Sequence, residues 1–102
     1  MKLQFLISLF IISFASTAAT AADIEAGKKR AAVCIGCHGP DGISFIPTYP
    51  NLKGQKAAYT EKQLRDFKAK KRIDPTMIAQ SMSLSDADIK NIAAYYESLG
   101  KK

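Results

Sequence analysis

Residues 22–102 offer only 21 large apolar side chains with which to close a core. Of the 34 hydrophobic positions in those 81 residues, eleven are Ala and two are Cys. A domain of this size buries little apolar surface, and such domains commonly rely on disulfides, a metal or another large buried group. The one thiol pair is Cys34 and Cys37. A loop closed over so few residues adds little chain-entropy stabilisation. Something other than side chains and a disulfide must complete the core.

The preceding residues differ in kind. Met1-Lys2 leads into an apolar run from Leu3 to Phe14, followed by the small-residue stretch Ala15–Ala21. A basic start, an apolar centre and an Ala-x-Ala ending describe a secretory signal peptide over residues 1–21, cut after Ala21 or one residue later, after Ala22. A membrane-spanning helix needs ~20 apolar residues, more than this run supplies. Residues 22–102 then form one domain, which excludes a multidomain enzyme. The whole chain carries 15 Lys+Arg against nine Asp+Glu, a net charge of +6; the leader removes Lys2 and leaves +5. With one His and two Cys, there is little from which to build a nucleophilic triad.

Strand signals are scarce and helix signals are good. Asp23 can cap a first helix running to about Val33, with Glu25 in its first turn. Gly27 inside that helix costs up to ~1 kcal/mol relative to Ala, a cost that close approach of another helix would justify. Between His38 and Gly54, the glycines and Pro40, Pro47 and Pro50 enforce a loop. Phe45, Ile46, Tyr49 and Leu52 make it unusually apolar, as if wrapped over a hydrophobic object. A second helix spans roughly Gln55 to Lys71, with Thr60, Leu64 and Phe67 on one side. Arg72 to Ser83 reads as irregular, with Asp74-Pro75 able to open a single helical turn. The last helix starts at the N-cap Ser85, with Asp88 at N3 and Leu84 and Ile89 as a staple. Ile89, Ile92, Ala93, Tyr96 and Leu99 follow its 3.6-residue period, and Gly100 suits its stop. The fold class is all-α: three main helices around a long apolar loop.

Cys34-Ile35-Gly36-Cys37-His38 carries the chemistry. Two thiols at this spacing can reach the two vinyl groups of one haem, and the adjacent imidazole can reach its iron. A thioredoxin-type redox pair would want a βαβ setting, which the pattern lacks. A zinc site would want a fourth Cys or His ligand, and none exists. Covalent haem supplies the large apolar body the core lacks. Iron held by one His needs a sixth ligand or an open site. Met77 and Met82 are the candidates, since a thioether is a soft ligand that favours the reduced iron. An open site would point instead to gas binding or peroxide chemistry.

The sequence resembles the class I c-type cytochromes, most closely the small soluble electron carriers of bacterial periplasms and the halves of their dihaem relatives. The likeness covers nearly all of residues 23–100. It is carried by Cys34-Ile-Gly-Cys37-His38-Gly39, Tyr49-Pro50-Asn51-Leu52-Lys53-Gly54-Gln55, Tyr59, Gln63-Leu64, Phe67, Met77, Leu84-Ser85 and Ile92-Ala-Ala-Tyr95-Tyr96. This resemblance implies a cytochrome c fold around one haem c. Cys34 and Cys37 would be its thioether attachments and His38 its proximal iron ligand. The Pro50 carbonyl would hold the other His38 nitrogen, the bond that fixes ring orientation. Family spacing puts the ligating Met seven residues before Leu84, which selects Met77 over Met82. Gly27 would let the first helix cross the last near Ile92 and Tyr95. Dihaem relatives carry a second Cys-x-x-Cys-His; this sequence has one.

Lys28-Lys29-Arg30, Lys68-Ala-Lys70-Lys71-Arg72 and Lys101-Lys102 make most of the positive excess. An exported protein with no binding motif is a poor partner for nucleic acid, and solvated helix faces account for any single Lys. As a set, these cations suit steering toward redox partner proteins with acidic docking surfaces. Arg72 could pair with a haem propionate. The expectation is a monomeric periplasmic carrier of single electrons, not an enzyme and without a small-molecule substrate. Its rivals are a cytochrome subunit of a dehydrogenase or oxidase complex, and a haem peroxidase or gas-binding protein.

Overall fold

The computed structural model describes residues 3–15 and 21–101. Met1, Lys2 and residues 16–20 of the expected leader lie outside the described residues, so its basic start and most of its small-residue stretch have no structural account. Residues 3–15 form neither helix nor strand, and their side chains are exposed. Among the described residues, no helix is long and apolar enough to cross a membrane.

Five helices follow: α1 (Ile24–Arg30), α2 (Ile35–His38), α3 (Ala57–Lys68), α4 (Pro75–Ser81) and α5 (Asp86–Leu99). A 3₁₀ turn over Ala31–Cys34 joins α1 directly to α2. No strand occurs among the described residues. The first helical stretch therefore does not stop near Val33 but runs on to His38. The backbone stays right-handed through the tighter turn, and Gly39, at φ 85°, ends it. A left-handed residue at this point is most easily glycine.

Asp23 caps α1 by accepting from the Ala26 amide. Helix α5 carries a complete capping box. Ser85 Oγ accepts from the Asp88 amide at 3.0 Å, and the Asp88 carboxylate accepts from the Ser85 amide at 3.0 Å. Helix α4 is longer than the single turn expected. Asp74 accepts from the Met77 amide at 2.9 Å and Pro75 fills the first helical position. Ser81 at its far end is fully buried.

The core is the face of α5 predicted from its period. Ile89, Ile92, Ala93, Tyr95 and Tyr96 are all buried, joined by Ala31, Phe67 and Leu84. Helix α1 crosses this face at Gly27. A Cβ there would lie 2.0 Å from the Asn91 carbonyl oxygen, so only a bare Cα lets the backbones approach. The Asp23 amide donates to Asn91 Oδ1 at 2.8 Å and fixes the crossing. Gly100 is not in the left-handed conformation expected of a helix stop; its φ is −76°. Glycine is required there because the loop passes against it. A Cβ on Gly100 would stand 2.5 Å from the Gly54 Cα.

Helix α3 begins at Lys56 with no side-chain cap of its own. Glu97 of α5 supplies one, accepting from the Ala57 amide at 2.7 Å. The far end of α3 is a Schellman turn. The Lys71 amide returns to the Asp66 carbonyl at 2.8 Å and the Lys70 amide to the Phe67 carbonyl at 3.0 Å. Lys70 occupies the left-handed position at φ 59°.

A candidate haem site

Cys34, Cys37 and His38 sit at the end of the continuous helical stretch that α1 begins. Residues three apart are neighbours on a helix surface, so the two thiols share a face. Both are free and half-buried. Burial pushes the Cys34 thiol above its usual range, opposed by the Tyr96 hydroxyl and the Arg30 guanidinium beside it. Burial, with Cys34 next to it, likewise raises the Tyr96 hydroxyl.

His38 is buried at 7% exposure, and its Nδ1 lies 2.8 Å from the Pro50 carbonyl oxygen. A carbonyl only accepts, so Nδ1 carries the proton and donates. This leaves Nε2 with a lone pair, the state in which an imidazole ligates a metal. Pro50 therefore acts through its backbone oxygen. Its ring adds a fixed φ and removes an amide that would need a partner.

The loop that carries Pro50 is tied down at several points. The Gly42 carbonyl accepts from the Leu52 amide at 2.7 Å and the Lys53 amide at 3.0 Å, and the Gly54 amide donates to the Tyr96 carbonyl at 2.9 Å. Gly42 has φ 80°, and Lys53 and Tyr96 crowd the space where its Cβ would stand. Ser44 links this loop to the motif. Its hydroxyl donates to the Cys37 carbonyl at 2.8 Å, while its amide donates to Asn51 Oδ1 at 2.8 Å. Ser44 was not singled out from the sequence. Nothing in residue type or spacing marks it, because its role depends on the path of the loop.

Met77 and Met82 lie at opposite ends of α4. Met77, in the first turn, is half-buried; Met82, just past the last, is 53% exposed. Arg72 projects from the turn that follows α3. Its guanidinium donates to Gln63 Oε1 at 2.8 Å and lies over the Phe67 ring, 4.6 Å from the centroid.

The donor set suits haem. It offers two thiols on one helical face and an imidazole whose other nitrogen is already satisfied. Ile43, Ile46 and Tyr49 on the pinned loop remain 38–41% exposed, apolar side chains that protein atoms leave partly uncovered. A flat apolar ring matches such a surface; a bare metal ion does not. Among the described residues there is no cluster of three His, Cys, Asp or Glu able to hold an ion without one.

The family model for cytochrome c matches residues 24–100. The chain belongs to the cytochrome c family. It is a small class I c-type cytochrome, and membership brings a covalently bound haem c with its iron. It is 42% identical over 96 residues to cytochrome c4 of Pseudomonas aeruginosa, covering 93% of this chain and 48% of that protein. Cytochrome c-554(548) of Halomonas halodenitrificans is 44% identical over 81 residues, with 76% of this chain and 98% of that one covered. The crystal structure of reduced cytochrome c4 from Pseudomonas stutzeri superposes with a TM-score of 0.72 at 42% identity, over 76% of this chain and 46% of that one. The chain thus spans about half the length of its cytochrome c4 relatives and nearly all of the Halomonas protein. The all-α cytochrome c fold expected from the sequence is the one found.

Proposed function

We propose that this cytochrome carries single electrons between redox proteins of the periplasm, as a monomer. In this reading, residues 1–21 are removed on export and residues 22–102 form the working domain. Cys34 and Cys37 hold the haem through thioethers, and His38 and Met77 bind its iron. Bound haem supplies a one-electron couple. The chain's residues orient the group, shield it and set the balance between its two oxidation states.

The observation that carries this reading is the 2.8 Å bond from His38 Nδ1 to the Pro50 carbonyl. It spends one nitrogen and presents the other from a buried, fixed ring. The choice of Met77 is supported by its partial burial in the first turn of α4, against the exposure of Met82. With both His38 and Met77 binding the iron, no open position would remain for a substrate, which favours transfer over catalysis.

A second reading has specific support. The cytochrome subunit of sulfide dehydrogenase from Chlorobaculum tepidum is 36% identical over 76 residues, covering 74% of this chain and 68% of that protein. In that reading this chain docks permanently on a dehydrogenase.

Spectroscopy of the ferric holoprotein tests the assignment. The long-wavelength charge-transfer band of a methionine–iron bond is expected in the wild type, lost in Met77→Ala and kept in Met82→Ala. A five-coordinate wild-type spectrum would sink the carrier reading. A stoichiometric dehydrogenase purifying with the native protein would favour the subunit reading. The mass of the protein from the periplasmic fraction gives the processing site, with a start at Ala22 or Asp23 expected.

A further inference from the structure

Position 96 holds a tyrosine where the period of α5 asks only for an apolar side chain. Tyr96 is 1% exposed, so its hydroxyl is carried into the core. The ring is held on several sides. The Tyr95 ring stands 5.1 Å away, tilted by 52°, and a Cβ on Gly42 would lie 3.2 Å from Tyr96 Cδ1. The Tyr96 carbonyl accepts from the Gly54 amide at 2.9 Å, which ties its backbone to the loop. The direction of the hydroxyl is thereby fixed. A buried tyrosine hydroxyl normally finds a partner, and this one reaches the Cys34 sulfur.

Cys34 packs against the core cluster that contains Tyr96, Ala31, Leu84 and Ile92. Arg30 also lies beside the sulfur. Its guanidinium is directed at Asp88, at 3.4 Å, and at Ser83, at 3.1 Å, which leaves the hydroxyl as the donor. Cys37 is held in another way, through its carbonyl, which accepts from Ser44 Oγ at 2.8 Å. The last helix thus serves one cysteine of the motif and the loop serves the other.

A thiol sulfur donates or accepts weakly, whereas a thioether sulfur only accepts. A tyrosine O–H suits both states, because it brings its own proton to the bond. We propose that Tyr96 is a positioning residue of the haem site: its hydroxyl donates to the Cys34 sulfur and aims that side chain, and the thioether made from it, into the site. This rests on the reading of Cys34 as a haem attachment. Bonds from groups one step removed orient the bonded atoms and tune their electron density. Tyr96 does for the Cys34 sulfur what the Pro50 carbonyl does for the His38 ring.

The test is made on the ferrous holoprotein. Proton NMR of the wild type is expected to show a slowly exchanging Tyr96 hydroxyl proton with a nuclear Overhauser cross-peak to the Cys34 β-protons. This measurement needs no variant and so does not depend on how a variant folds. Resonance Raman spectra in H2O and D2O are expected to show one thioether C–S band that shifts on exchange. The shift is expected to be lost in Tyr96→Phe and kept in Tyr95→Phe, since Tyr95 lines a cleft between α1 and α5 beside Ile24 and Lys28. A missing cross-peak, a shift that survives Tyr96→Phe, or one lost equally in Tyr95→Phe would overturn the assignment. The mass of the haem peptide spanning Cys34 and Cys37 separates this from failure of the attachment reading. Two thioethers with no cross-peak would condemn the role of Tyr96 alone; a free Cys34 thiol would condemn the attachment reading and this proposal with it.

Discussion

The Ala57 amide at the start of α3 donates to the carboxylate of Glu97 in α5, at 2.7 Å. One helix is thus capped by a side chain forty residues away. The bond couples the end of the loop over the site to the C-terminal helix, so tertiary structure does for α3 what Ser85 does locally for α5. Replacing Glu97 by Ala is expected to destabilise the holoprotein by about 1 kcal/mol, the usual value of a lost helix cap. Urea unfolding followed by circular dichroism measures it. An unchanged midpoint would show that solvent caps α3 equally well.

Gly27→Ala is expected to cost more than the helix propensity it gains. Its Cβ would meet backbone atoms of Asn91 and Ile92, which cannot rotate away. Forced shifts of this kind cost about 1–3 kcal/mol or more. Thermal unfolding reads the loss, and wild-type stability in the variant would mean that α1 can slide on α5.

Lys70→Gly should act in the opposite direction. It relieves a left-handed backbone that costs a side-chain residue about 1 kcal/mol or more, and it keeps both amide bonds of the turn. The holoprotein is expected to unfold at higher denaturant. An unchanged urea midpoint would show that the turn holds Lys70 at no cost.

The capping box sets a pH dependence. The Asp88 carboxyl is held below its ordinary range, mainly by the Ser85 amide and secondarily by Arg30 and the Ser85 hydroxyl. A carboxyl depressed in the folded state stabilises it above the ordinary value of about 4, and that stabilisation is lost as pH falls through the lowered folded value. Asp88→Asn should therefore flatten part of the fall in stability below about pH 4 and leave the shape of the neutral region unchanged. Unfolding midpoints measured across that range show it.

Much of this molecule was legible in its residues because the signals were local. The α5 face, its capping box and the cap at Asp23 follow from period and residue type, the crossing of α1 over α5 at Gly27 from the family resemblance, and all are found. The extent of the first helix was underestimated because nothing in Ala31-Ala32-Val33 shows that the backbone will tighten to a 3₁₀ turn and continue. Gly100 was credited with conformational freedom, whereas its use is the space it leaves for Gly54. Ser44 and Glu97 were invisible for a shared reason: each bonds a backbone group that only the folded path of the chain brings near.

The Asp23–Asn91 bond has a consequence for the order of events in the cell. Its partners lie 68 residues apart, and the helices they join are the first and last of the fold. During synthesis, the thiols and the imidazole emerge long before the helix against which α1 must pack. Until Asn91 arrives there is no closed core, and the entropy of bringing the two ends together falls due in one late step. The segment Cys34–His38 thus precedes in the chain the helix on which its own end of the core closes. The finished domain, locked at Gly27, then stands or unfolds as one cooperative unit.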